Sequence, residues 1–253
     1  MAEYIKKFET AASSDQYAIN DIPFLTAIAT DPVQALACNE EGKKLINRNG
    51  VVSVFPPYIE LVNLALPSGT LWAKHNVGAN VETELGGLYA WGELSTKETY
   101  TWENYTFRTS GTTAEDVVLS KYNDTDNKTV LEDVDNVAKY TYDIDIPSYD
   151  DLVELENECT REWTTINGVA GIKYTSHHNT NYIFFPGGLI YNGVIDTTKA
   201  GAISKTRFPE SYYKYAYRLE RWSDGSGGVG ISPRNIGTPV RPVKHMTQFQ
   251  PLH

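Results

Sequence analysis

Cysteine is nearly absent: Cys38 and Cys159 are the two in 253 residues. A disulfide framework is thereby excluded, as is a thiolate zinc site, which takes about four clustered ligands. Stability must come from packing. Long apolar runs are missing too. No stretch approaches the roughly 18 apolar residues needed to cross a bilayer, so no membrane insertion is expected. The opening Met1-Ala2-Glu3-Tyr4-Ile5-Lys6-Lys7-Phe8 lacks the apolar run of a secretory signal, which points to a chain made without one, or to a signal already trimmed. Positive charge is short: 22 Lys and Arg stand against 32 Asp and Glu, a formal net charge of -10. With no basic cluster to offset it, that charge repels phosphate backbones and anionic lipid, so nucleic acid is not an expected partner. No Ser or Cys sits in a nucleophile elbow, and no glycine-rich phosphate loop precedes a helix. The expectation is a protein that is not an enzyme, with no catalytic residue, no cofactor and no metal.

Tyrosine, by contrast, is abundant, at 17 copies. Its ring supplies rigid contact area and a hydroxyl, which suits surfaces that bind protein or sugar; β-strands also favour it. The chain reads as two parts, residues 1–57 and 58–253, with Pro56-Pro57 as the boundary. The first part is poor in aromatics and carries a polar run from Ala11 to Gln16. There Ala35-Leu36-Ala37-Cys38 and Lys44-Leu45-Ile46 flank a Gly42-containing turn, predicting a hairpin; a helix starting at Asp31-Pro32 is the competing reading. Fewer than 60 residues bury little surface alone, so this segment is expected to attach to partners and to mediate self-association.

From Tyr58 the texture is β-rich. Leu61–Ala65 and Leu71–Val77 read as strands around the Pro67-Ser68-Gly69-Thr70 turn. Gly86-Gly87-Leu88-Tyr89-Ala90-Trp91-Gly92-Glu93 suggests backbone packed closely on large rings. Residues 94 to about 140 show no period and read as a long irregular insertion. Ser148-Tyr149-Asp150-Asp151 is a capping box opening a helix that runs to about Glu158. Asn167-Gly168, between Trp163–Ile166 and Val169–Tyr174, predicts a hairpin. Tyr182–Phe185 reads as a strand closed by Pro186 and Gly187-Gly188. Tyr213 to Glu220 alternate as a half-buried strand, and Ser223–Gly228 form a loop into Val229-Gly230-Ile231.

Five blocks then carry a family likeness: Leu64–Ala79, Tyr89–Glu93, Asp126–Glu132, Trp163–Gly171 and Pro239–Val243. In this order they resemble the motifs of the Fibrobacter succinogenes major paralogous domain family, over residues 60–243. The resemblance implies an α+β, C-type-lectin-like fold, β-rich with one clear helix and long irregular loops, beside a small mostly-β N-terminal attachment module. It implies paired opening and closing strands, a core containing Trp72, Trp91 and Trp163, and ligand-facing side chains between Ser204 and Gly237. The chain departs from the family pattern at Asp145–Ser148 and at Ser204–Phe208. The leader Tyr4–Thr10 is similar to openings of Bacteroidales-phage structural proteins. The likeness implies a virion fibre or decoration protein recognising a host-surface glycan or protein; a purely structural virion subunit and a Bacteroidales surface or secreted protein are the alternatives.

Tyr212, Tyr213, Tyr215, Tyr217, Trp222, Asp224 and Arg234 are the candidate ligand-binding residues, aromatic platforms with polar groups to fix orientation. Asp143, Asp145, Asp150 and Asp151 lack the loop spacing of a calcium site and read as helix caps. His177-His178 reads as a polar turn rather than a metal site. Asn104-Tyr105-Thr106, Asn123-Asp124-Thr125 and Asn127-Lys128-Thr129 fit a glycosylation pattern but read as chance in an Asn/Thr-rich stretch.

Overall fold

The computed structural model describes the backbone of strands at 16–17, 35–38, 44–48 and 51–55, and residues 59–245 apart from 192, 210 and 211. The chain divides into two compact units, Met1–Ile59 and Glu60–His253. In the first, β1 (Gln16–Tyr17), β2 (Ala35–Cys38), β3 (Lys44–Arg48) and β4 (Val51–Phe55) form an antiparallel sheet of order β1-β4-β3-β2. The β2–β3 hairpin is the one the flanking apolar triplets predict, and no helix runs through residues 35–38. A further pairing escaped notice: β3 and β4 are antiparallel neighbours, with Arg48 opposite Val51. The leader, the Ala11–Asp15 run, Asp31-Pro32, Gly42 and Pro56-Pro57 lie outside the described residues.

The second unit is built on six antiparallel strands in sequence order: β10 (Cys159–Ile166), β11 (Val169–Ser176), β12 (Tyr182–Tyr191), β13 (Val194–Arg207), β14 (Tyr215–Trp222) and β15 (Gly227–Pro233). Short strands surround them: β5 (Leu61–Asn63), β6 (Leu71–Ala73), β7 (Leu88–Tyr89), β8 (Arg108–Ser110), β9 (Val118–Leu119), β16 (Thr238–Pro239) and β17 (Val243–Lys244). The helices are α1 (Val137–Tyr142) and α2 (Tyr149–Glu158). This is a β-rich α+β unit with one clear helix, α2.

Successive strand residues point to opposite faces, and β13 and β14 use both. Ala202 and Leu219 join Leu152 and Leu155 of α2, Trp72 and Phe185 in one core cluster. Ile203 and Ala216 join a second, with Trp91, Trp102, Tyr105, Phe107 and Tyr122. Four of these rings come from the stretch expected to be an irregular insertion. It is largely irregular, yet it supplies most of the second core and contains α1, capped by Asn136, whose side chain accepts from the Ala138 and Lys139 N–H groups. Its anchors contact distant strands, so no local period marks them. Trp72 and Trp91 are buried as expected; Trp163 is only half-buried, because β10 is an edge strand and its ring reaches just the rim of the first cluster.

Strand β12 does not stop at Pro186 but runs on to Tyr191, with a register shift between Gly187 and Leu189. A Cβ on Gly187 would collide with the Thr197 carbonyl, so glycine there admits the neighbouring strand rather than ending its own. The closing strand does meet the opening sheet, though not β5 directly: the order is β17-β6-β5, with Val243 opposite Trp72. Pairing continues beyond it. Pro242 accepts from Ala73, Val240 from Val77, and Arg234 from Trp91, while Thr238 lies opposite Tyr89. Residues 234–244 thus form a strap along residues 71–91.

Candidate functional site

The residues between Phe208 and Pro233 lie in the stretch expected to face a ligand, with a strand read at Tyr213–Glu220 and a loop at Ser223–Gly228. Most are strand. On the α2 side of the sheet, β14 presents Tyr215 and Tyr217. Tyr149, the first residue of α2, stacks on Tyr217 with centroids 4.2 Å apart. Phe208, just past β13, packs on Tyr217 at 5.2 Å and edge-on to Tyr212 at 5.9 Å, and Tyr212 reaches Tyr215 at 6.3 Å. Tyr212 is 57% exposed. Directly across from Tyr217 on β15 stands Ile231, 42% exposed. Five rings and one aliphatic side chain therefore make a continuous strip.

The strip borders an unguarded edge. β10, the other edge of the sheet, carries exposed Arg161 and Glu162, whereas β15 (Gly-Gly-Val-Gly-Ile-Ser-Pro) carries no charge. Charged side chains are a usual protection of edge strands against further pairing.

Three of the seven expected binding residues, Tyr212, Tyr215 and Tyr217, thus come together. Phe208, Tyr149 and Ile231 were missed, although Phe208 lies four residues from Tyr212. Tyr213 does not share their side: it precedes β14 in a turn and packs against the second core cluster. Arg234 is not a surface residue at all, being fully buried. Its guanidinium donates to the Tyr105 hydroxyl at 3.0 Å and to the carbonyls of Tyr122, Tyr213 and Lys121, and it lies 4.4 Å from the Trp91 ring centre. Carbonyl dipoles and ring faces satisfy the charge there, which is why it tolerates burial without a carboxylate. Trp222 and Asp224 are exposed, but at the far end of β14, roughly 24 Å from Tyr215 at the usual strand rise. Asp224 shapes the loop, its Oδ1 accepting from the Ser226 N–H and hydroxyl; those bonds hold its carboxyl below the usual range.

A larger cleft, about 970 Å³, opens elsewhere on the unit. Gly86, Gly87 and Tyr89 form one wall, Thr96–Thr101 a second, and Ile190 with Ile195 at the end of the β12–β13 hairpin a third. Burial raises the Tyr89 phenol. The ammonium of Lys97 turns to Glu93, at 2.7 Å. The third wall is remote in the chain from the first two, so nothing in the sequence could have joined it to them, although the glycine–ring packing read at Gly87 is present, with Tyr89 lying where a Cβ would be.

No family model matches the chain, and no curated protein or solved structure matches it either.

The aspartates around the two helices bond within the fold. Asp143 ends α1 in the left-handed region, Asp145 bonds Asn136 and Lys205, and Asp151 closes the capping box of α2. His178 contacts Glu158 at 2.7 Å. Among the described residues, no group of three or more His, Cys, Asp or Glu could hold a metal ion. Cys159 is buried, and burial pushes its thiol up to about 12, far from a nucleophile's range.

Proposed function

We propose that this chain is a non-catalytic recognition protein of a phage virion, a fibre or decoration component. Its second unit would be a C-type-lectin-like domain that meets a host-surface glycan or protein through the strip of Tyr149, Phe208, Tyr212, Tyr215, Tyr217 and Ile231. Its first unit would attach it to other virion proteins. The observation that carries the recognition role is the strip itself: interlocked rings hold their orientation before any partner arrives, which lowers the entropy cost of binding. The lectin-like reading rests on the motif order and the virion setting on the leader.

The uncharged β15 edge favours a second reading, in which the strip is buried between virion subunits. One pair of substitutions separates the two. Tyr212→Ala with Ile231→Thr removes exposed groups and should shift stability by no more than about 0.5 kcal/mol each. If the strip is adhesive, binding of the labelled full chain to host cells falls at least about tenfold, with mass by light scattering unchanged. If it is a subunit interface, the mass falls instead. Failure of the unaltered chain to bind any cell in a Bacteroidales panel, or any glycan on an array, would remove the adhesive reading.

A further inference from the structure

We propose that the far end of β14 carries a separate binding site for a neutral saccharide ring, with Trp222 as its platform. It goes beyond the aromatic strip, and stands whether that strip meets a host or a neighbouring subunit.

Trp222 is unusually well fixed for a side chain 39% exposed. Its Nε1–H donates to the Glu220 carboxylate at 2.7 Å. Lys199, its cross-strand partner on β13, places its ammonium 3.6 Å from the indole centre and 4.1 Å from the ring of Tyr191. The loop beyond is stapled as well: the Trp222 N–H donates to the Ser226 carbonyl and the Gly225 N–H to the Trp222 carbonyl, both at 3.0 Å. An indole so held loses little freedom when something stacks on it.

Beside it lies an open hollow of about 500 Å³, lined by Glu220, Trp222, Ser226 and Gly227–Gly230. Its floor is bare backbone: nothing lies within 4 Å of where a Cβ on Gly230 would sit. A flat ring can therefore lie low against the strand with one face toward the indole.

The charges indicate what kind of ring. Glu220 is answered by the guanidinium of Arg218. Lys199 is answered by the two aromatic faces and by Asp196 at 3.9 Å. Neither of these two charges is left for an ionic ligand to neutralise. What remains is a carboxylate with spare lone pairs, an acceptor for hydroxyl donors, next to an apolar platform. A pyranose has both faces of that chemistry, with C–H groups for the indole and hydroxyls for Glu220.

The test uses the full chain with methyl glycosides of neutral hexoses, read by saturation-transfer difference NMR. Transfer to the ring C–H protons is expected, and Trp222→Ala should reduce it at least about tenfold. Because Trp222 also covers Lys199, a second variant guards against misfolding. Gly230→Leu fills the hollow from an exposed strand position and should abolish the signal with the fold intact by circular dichroism. Val134→Thr, at a 71% exposed position outside both the hollow and the strip, should leave the signal unchanged. Transfer that survives Gly230→Leu, or that is absent from the unaltered chain with every hexoside, would overturn the proposal.

Discussion

Arg241 shows what a single side chain can organise. It is fully buried, donating from Nε to Asn76 Oδ1 at 2.8 Å, from Nη1 to the Ala73 and Lys74 carbonyls, and from Nη2 to the Phe184 carbonyl at 2.7 Å. Burial pushes its guanidinium down to about 9, still above neutral, so the charge persists. Replacing it with Met keeps stem volume but strands four acceptors, a loss of about 3 kcal/mol or more, measurable as a lowered urea midpoint. Arg241→Lys should recover little, because one ammonium cannot reach acceptors arranged around a planar fork. Residue roles of this kind were the least legible part of the sequence. Arg234, set among turn residues in Ser-Pro-Arg-Asn, reads as exposed because its ring and carbonyl partners come from residues more than a hundred positions away or from an adjacent turn. Tyr212, Tyr215 and Tyr217 were legible as a group because they share one short stretch.

Local signals did specify their elements. The Ser148 hydroxyl accepts from the Asp151 N–H, and Asp151 returns the bond to the Ser148 N–H, as the capping box requires. Ser148→Ala should cost about 1 kcal/mol in thermal or urea unfolding. It should also change the acid limb. Burial works to raise the Asp151 carboxyl, but the Ser148 bonds and His245 together bring it below its ordinary value. A carboxyl lowered in the folded chain contributes stability that is present above its unfolded value, near 3.8, and is lost as pH falls through the folded one. Removing the hydroxyl bonds moves the acid-unfolding midpoint to higher pH; an unmoved midpoint by circular dichroism would show that the cap does not govern it. Asn167-Gly168 is equally local. Both residues have positive φ, 49° and 82°, the type I′ geometry, so Gly168→Val should destabilise the hairpin by about 1 kcal/mol or more. Strand β12 was misread for the opposite reason: Pro186-Gly187-Gly188 looks like punctuation until the close approach of β13 is seen.

For the whole molecule, assembly is the open quantity. A sheet drawn from fewer than 60 residues, with β1 and β2 as its edges, has little interior of its own. We expect the full chain to self-associate and a chain starting at Tyr58 to be monomeric, by size-exclusion light scattering; identical monomeric masses would contradict it. Composition places a boundary after Pro57; the chain divides into compact units between Ile59 and Glu60. The route of residues 234–244 was not legible, since a strap with two short strands leaves almost no periodic signature.

That strap has a practical corollary. β5 and β17 flank β6, so the first and final strands of the second unit run parallel, two strand spacings apart, and Leu61 and Lys244 are separated by only about 12 Å at ordinary sheet dimensions. A linker of roughly five residues would bridge that gap. New termini could then be opened at the Asn167-Gly168 tip, giving a circular permutant with the same interior, and the unit could be spliced as a cassette into a surface loop of an unrelated scaffold.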